Sequence, residues 1–383
     1  MTATLTRSLG GRSRLGPATR AGWAVLAVIA AVLLAAPVIF DNYWQSEILT
    51  QALWLGIAAA SLTFLFRYGG MISLAQVAIY GIAGFTMAIL VHSAPSESVH
   101  PLGWNPWLGV VAGIAVAMTV AFLFGAIASR SYGIYFLMIT LALALLVYYF
   151  FGQVVQLSGF GGIRSVGRPG FLGDPITHPT PLYYLCLGCS VVVYVLLRYI
   201  VRTPFGIALQ GIRDDPQRMR SLGYNVPLHR TLAFTLGAFV ASIAGILSVW
   251  FNTQISPGSI RIDQVIAVLI IAVIGGLSRL EGAWIGAFAY SVIDYYARQD
   301  TPTVGSWLGP GQFDTIIGLI FLLIVLLSPD GLIGIGQRLW RSSGLQGRTV
   351  PPPSSAGPEE QILTQEAGVT SGAGASGSGA QEA

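Results

Sequence analysis

From Trp23 to Leu327 the sequence returns again and again to apolar stretches with hardly a charge inside them. At 1.5 Å of rise per residue, about twenty such residues cross a hydrocarbon core, and only helices satisfy their own backbone groups there. Spans are expected at 22–40, 47–66, 70–91, 106–128, 132–151, 181–201, 229–251, 263–279, 282–297 and 310–328. The eighth and ninth are short and interrupted by glycine. The expected fold class is therefore all-α, a polytopic integral membrane protein of about ten transmembrane helices. Composition agrees: 54% of the residues are hydrophobic and only 9% charged, against about 25% charged in soluble domains.

Charge distribution sets the expected sidedness. All 20 basic residues are arginine. With residues 1–21 in the cytosol, sixteen arginines fall on the cytosolic side, and only Arg164, Arg168, Arg261 and Arg298 fall outside. An excess of that kind orients a membrane protein with its basic loops inside. Both termini are then cytosolic, the apolar run from Trp23 is an uncleaved first span, and 344–383 is a disordered low-complexity tail. The membrane-embedded body is expected at 22–335. The outer segment 152–180, rich in Gly and Pro, is expected to fold back as an irregular cap.

One long, strongly charged internal segment remains, 202–230, on the cytosolic side. Thr203-Pro204 and Asp215-Pro216 each read as an N-cap followed by a first-turn proline, and Gly223 as a left-handed stop. Phe205, Leu209 and Ile212 share one helical face. A capped, amphipathic helix pair lying against a membrane is a grip for a partner protein; a solvated connector is the plain alternative.

The third span opens YGGMISLAQVAIYGIAGF, with Ser73 and Gln76 among its glycines. Such material permits close helix contact or a local break. A second cluster, IGGLSRLEGAWIGAF at 274–288, suggests a duplicated half. Ser73, Gln76 and Thr140 carry polar groups that would be costly against lipid, which makes them candidates for a pathway. Asp263, Asp294 and Asp314 sit near span ends, where water reaches them, and the structural role outweighs a proton relay.

Other chemistry finds no support. Without lysine there is no Walker A loop and no lysine base, so any ATP-driven work needs another chain to hydrolyse the ATP. Cys186 and Cys189 read as small buried side chains. The four histidines form no metal-ligand spacing, and no catalytic residue, metal, bound cofactor or nucleic-acid partner is indicated.

Several motifs in order resemble a known family. Gly70, Ile72, Ser73, Leu74 and Gln76 match one signature; Gly133-Ile134-Tyr135-Phe136 with Thr140-Leu141-Ala142 match a second. Pro204-Phe205-Gly206, Gly211-Ile212-Arg213-Asp214 and Leu222-Gly223 match a third, followed by Ile255-Ser256-Pro257 and by Pro329, Gly331, Leu332 and Gly334. From about residue 48 to 335 the chain resembles the permease subunits of ATP-binding-cassette importers for branched-chain amino acids, of the M type (LivM-like). It departs at Ala75, Ile207, Arg220-Ser221, Ala283 and the turn Ser158–Ile163.

The resemblance implies half of a translocation pathway in a bacterial inner membrane. It also implies a second permease of the H type, two ATPase subunits that bind the ATP, and an extracytoplasmic substrate-binding protein. Phe205, Arg213, Asp214 and Gly223 would then couple the 202–230 loop to the ATPases. Urea, a short amide or another small polar solute is an alternative cargo. A proton-coupled secondary transporter is an alternative class.

Overall fold

The computed structural model describes residues 44–91, 103–154, 157–173 without 158 and 165, and 180–298, with single positions at 37 and 318. Apart from those single positions, the expected first and last spans, the N-terminal segment, the tail and Asp314 lie outside the described residues.

A π-helical turn, Gln45–Thr50, runs directly into α1, Gln51–Gly69. There follow α2 (Gln76–Val91), α3 (Pro106–Ala128), α4 (Ile134–Gln153) and α5 (Thr180–Arg202). Two short helices, α6 (Pro204–Asp214) and α7 (Pro216–Ser221), lead into α8, Val226–Asn252. The described part closes with α9 (Ile262–Gly275) and α10 (Gly282–Arg298). Among the described residues, five helices are long and apolar enough to cross a membrane, and Gln76–Val91 and Ile262–Gly275 are shorter apolar helices. The five fall within a few residues of the spans expected from hydropathy.

α1, α2 and α8 form the buried centre. Every second-turn-and-beyond residue of α1 from Leu55 to Leu65 is buried, and α8 is buried along most of its length. α2 and α8 approach backbone to backbone at Gly245, where a Cβ would overlap the Tyr80 carbonyl. α3 seats itself on this centre through a stripe of small residues four apart, Gly109, Gly113, Ala117, Ala121 and Gly125. Small residues at that spacing let helices pack closely where no hydrophobic force separates protein from lipid. The opposite faces of α3, α4 and α5 expose large apolar side chains such as Val111, Leu123, Met138 and Val192.

The helix within the span expected at 70–91 is shorter than its apolar run. Gly70 takes a left-handed backbone (φ 63°) and turns its N–H back to the Leu65 and Phe66 carbonyls, which ends α1. Helix resumes only at Gln76, so 70–75 is a break. Freed backbone groups are costly in an apolar interior unless other groups pair with them. Here the Met71 N–H reaches the Leu65 carbonyl at 3.1 Å, and the Leu74 N–H reaches Thr140 Oγ1 at 3.3 Å.

The second Gly-Gly pair also ends a helix, with Gly276 at φ 102° bonded back to Ala272 and Val273. Beyond it α9 and α10 fold against each other so closely that a Cβ at Gly275, Gly282 or Gly286 would press into the partner helix's backbone. Where it is described, the segment 152–180 folds back with more order than an irregular cap. β1 (Ile163–Arg164) pairs antiparallel with β2 (Gln254–Ile255) just past the end of α8. This two-stranded ribbon is the departure from an all-α description.

Candidate translocation site and coupling loop

Near the ribbon end of the bundle lies a cavity of about 430 Å³, walled by Gln51, Trp54, Tyr80, Asn252, Gln264 and Asp294 among others. Its lining comes from the start of α1, the first turns of α2, the last turn of α8, and the α9–α10 hairpin. Polar groups in this wall pair with one another. The Tyr80 hydroxyl bonds Ser248 Oγ, Asn252 Nδ2 donates to the Ser248 carbonyl at 3.0 Å, and Gln51 Nε2 donates to Asp294 Oδ2 at 3.3 Å. Asp294 is buried, 7% exposed.

Deeper in the bundle is a second, narrow space of about 20 Å³, which shares Trp54, Tyr80, Ser259 and Gln264 with the first and adds Ser61 and Gln76. That is room for about one water-sized group. Gln76 is 1% exposed, and neither its Nε2 nor its Oε1 has a partner among the described residues. Trp54 Nε1 is likewise buried and unpartnered. Leaving a buried polar group unpaired costs about 1–3 kcal/mol, so such a cluster in a cavity wall is suited to receiving a polar ligand.

The three residues singled out for a pathway occupy different places. Gln76 lines the narrow space. Ser73 is buried beside it in the break, with its hydroxyl unpartnered. Thr140 lies on α4 and braces the break: its hydroxyl donates to Leu137 O at 2.9 Å and accepts from Leu74 N. Sequence reasoning missed Gln51, Trp54, Tyr80 and Asn252, and set Asp294 aside. One signal was present for Tyr80, which stands four residues after Gln76 and so on the same helical face.

At the opposite end α6 and α7 are capped as their sequences dictate. Thr203 Oγ1 accepts from Gly206 N at 3.4 Å, Asp215 Oδ1 accepts from Gln217 N and Arg218 N at 3.0 and 2.9 Å, and Gly223 has φ 89°. The apolar face of α6 points inward: Leu209 and Ile212 are buried, and Phe205 is half-buried with its ring stacked on His229 at 5.8 Å. Ile207, Leu222, Tyr224 and Leu228 are the large apolar residues of the loop that stand exposed.

Arg213 is a tether. Its guanidinium donates to the Arg67 carbonyl and pairs with Asp214 at 2.8 Å, while its stem lies where a Gly70 side chain would be. Arg220 donates to the Tyr132 hydroxyl at 2.7 Å.

Arg230 completes this end. It is 4% exposed, donates to the carbonyls of Ser129 and Ser131 at 2.8 and 2.7 Å, and lies over the Tyr132 ring at 4.2 Å. Its Nε also meets Met71 Sδ at 3.2 Å. Counting arginines by loop treated Arg230 as one more surface charge; its burial depends on a turn a hundred residues away and has no local signature.

Residues 45–326 match the family described as branched-chain amino acid transport system, permease component. The probable branched-chain amino acid transport permease LivM of Methanocaldococcus jannaschii is 23% identical over 297 residues, covering 73% of this chain and 84% of its own length. LivM of Escherichia coli is 25% identical over 319 residues, covering 75% of this chain and 69% of its own length. The companion permease LivH of the same bacterium is 22% identical, covering 73% and 90%. No solved structure matches. A buried core of apolar helices, a helix break at 70–75 and a match across most of the chain lead to one conclusion: this multi-pass membrane protein belongs to the branched-chain amino acid transport permease family and is LivM-like.

Proposed function

We propose that this chain is the M-type half of the translocation pathway in an ATP-driven importer of branched-chain or related amino acids. Its partners are an H-type permease, two ATPase subunits that carry the ATP, and an extracytoplasmic binding protein. It resides in the cell membrane with both termini and the 202–230 loop cytosolic.

A single juxtaposition supports the reading best. Arg213 of α6 lies against Gly70, and the break that begins at Gly70 ends at Gln76 in the wall of the narrow space. Movement of α6 and α7 by the motors would thereby be delivered to the break, and through it to the pathway. A non-helical segment between two packed helices is the kind of element that can take up two arrangements. The apolar part of the ATPase-facing surface is Ile207, Leu222 and Tyr224, which the two short helices and the turn after them leave exposed. Exposed Arg213 and Asp214 add charge to that surface, while Phe205 and Gly223 shape the loop that presents it.

The test is Ile207→Asp with Leu222→Asp, in cells that express the whole transporter. Both side chains are exposed, so membrane abundance should stay near wild type. Anchors of this kind are worth roughly 2 kcal/mol or more at an interface. Co-purification with the ATPase subunits and leucine uptake should both fall at least tenfold. Normal uptake with the ATPases still bound would show that the loop is only a connector.

A further inference from the structure

The narrow space at Gln76 has a chemical bias. α2 begins there, in the interior rather than at a surface, so the N–H groups of its first turn lack intrahelical acceptors by position. The start of a 16-residue helix also carries about half a positive charge. In the wall of this space are buried polar atoms without partners: both ends of the Gln76 amide and the donor Trp54 Nε1. Among the described residues, no carboxylate lines this narrow space. Buried donors beside a helix N-terminus favour an anion or a strong acceptor.

We propose that Gln76, Trp54 and the first turn of α2 form a subsite for the carboxylate of the transported substrate, a claim that rests on the amino-acid reading above. The narrow space admits one water-sized group, so a carboxylate oxygen enters it while the rest of the ligand stays in the wide cavity against Trp54 and Phe251. Asp294, bonded to Gln51, lines the wide cavity with Trp54 but not the narrow space, so its charge acts on the part of the ligand that stays outside the subsite.

The experiment is equilibrium binding of radiolabelled L-leucine to the full chain in nanodiscs. The competitors are 3-methylbutanoate, which keeps the carboxylate, and 3-methylbutylamine, which lacks it. The butanoate should compete at least tenfold better than the amine. Gln76→Glu should weaken leucine and butanoate at least tenfold while leaving the amine unchanged or improved, and Gln76→Asn should retain most leucine binding. That divergence is not produced by a loosened fold, which would weaken all three probes together.

Equal competition by amine and butanoate, uniform weakening of all three probes by Gln76→Glu, or leucine binding undiminished in that variant, would overturn the subsite while leaving the amino-acid reading in place. Binding of radiolabelled urea or acetamide in preference to leucine would overturn both. No binding of any probe to the wild-type chain would overturn the subsite and leave the cargo to the uptake assay.

Discussion

Arg230 is the residue whose loss should be felt most widely, and its contribution can be worked out. The guanidinium makes two short bonds to carbonyls, one to Ser129 and one to Ser131, and sits over the Tyr132 ring. Replacing it with Met fills similar volume but strands both carbonyls. A lost hydrogen bond to a charged group is worth about 1.5–3 kcal/mol, and stranded buried acceptors add to that. A desolvated cation over an aromatic face contributes about 2 kcal/mol more. Because these terms overlap, and because burying the cation is itself costly, we expect Arg230→Met to destabilise by about 3–5 kcal/mol. Arg230→Lys keeps the charge but not the planar fork, and should lose roughly half as much. Measured as thermal unfolding of purified protein, with about 2 °C per kcal/mol for a chain of this size, Met should fall by about 6–10 °C and Lys by about half that. Because Arg230 also meets Met71 at the start of the break, leucine uptake per molecule should fall in both variants. If both variants melt within a degree of wild type, the buried-fork account is wrong.

Other outcomes follow from the same structure. Gly245→Ala would place a methyl against the Tyr80 carbonyl and part α2 from α8, abolishing leucine uptake, whereas Gly188→Ala, which meets nothing within 4 Å, should be silent in the same assay. In a background free of Cys186 and Cys189, an impermeant thiol reagent applied to intact cells should label Arg164→Cys and spare Gln217→Cys; the reverse pattern would invert the topology. Purified alone, the chain should neither bind nor hydrolyse ATP, since it has no lysine for a phosphate loop; hydrolysis without any other subunit would refute that.

Much of the scaffold was legible in the sequence because it is set locally. Thr203-Pro204, Asp215-Pro216 and Gly223 each satisfy or terminate backbone within a few residues, and the structure uses them so. The glycines at 69–70 allowed a break, but its extent, 70–75, depends on Thr140 accepting from Leu74, a partner on another helix. The cavity was less legible still. Hydropathy says that a residue enters the membrane but not which way it faces, so nothing in the sequence set Gln51 or Asn252 apart. α3 did carry its packing face openly, as small residues four apart. The inward turn of α6 could not be foreseen, because an amphipathic helix is equally suited to facing its own bundle or a partner.

The close glycine contact between α9 and α10 constrains how the cavity can change shape. With Gly275, Gly282 and Gly286 packed against the facing backbone, the turn end of the hairpin has no slack, and the two helices cannot slide past each other there without steric overlap. Gln264 on one arm and Asp294 on the other both line the chamber. Of the other seams, α2 and α8 are themselves held backbone to backbone at Gly245 and Tyr80, so widening or sealing of the chamber is best sought where α1 meets α10 at Gln51 and Asp294, and a cross-link between those two positions is where gating would first be detected.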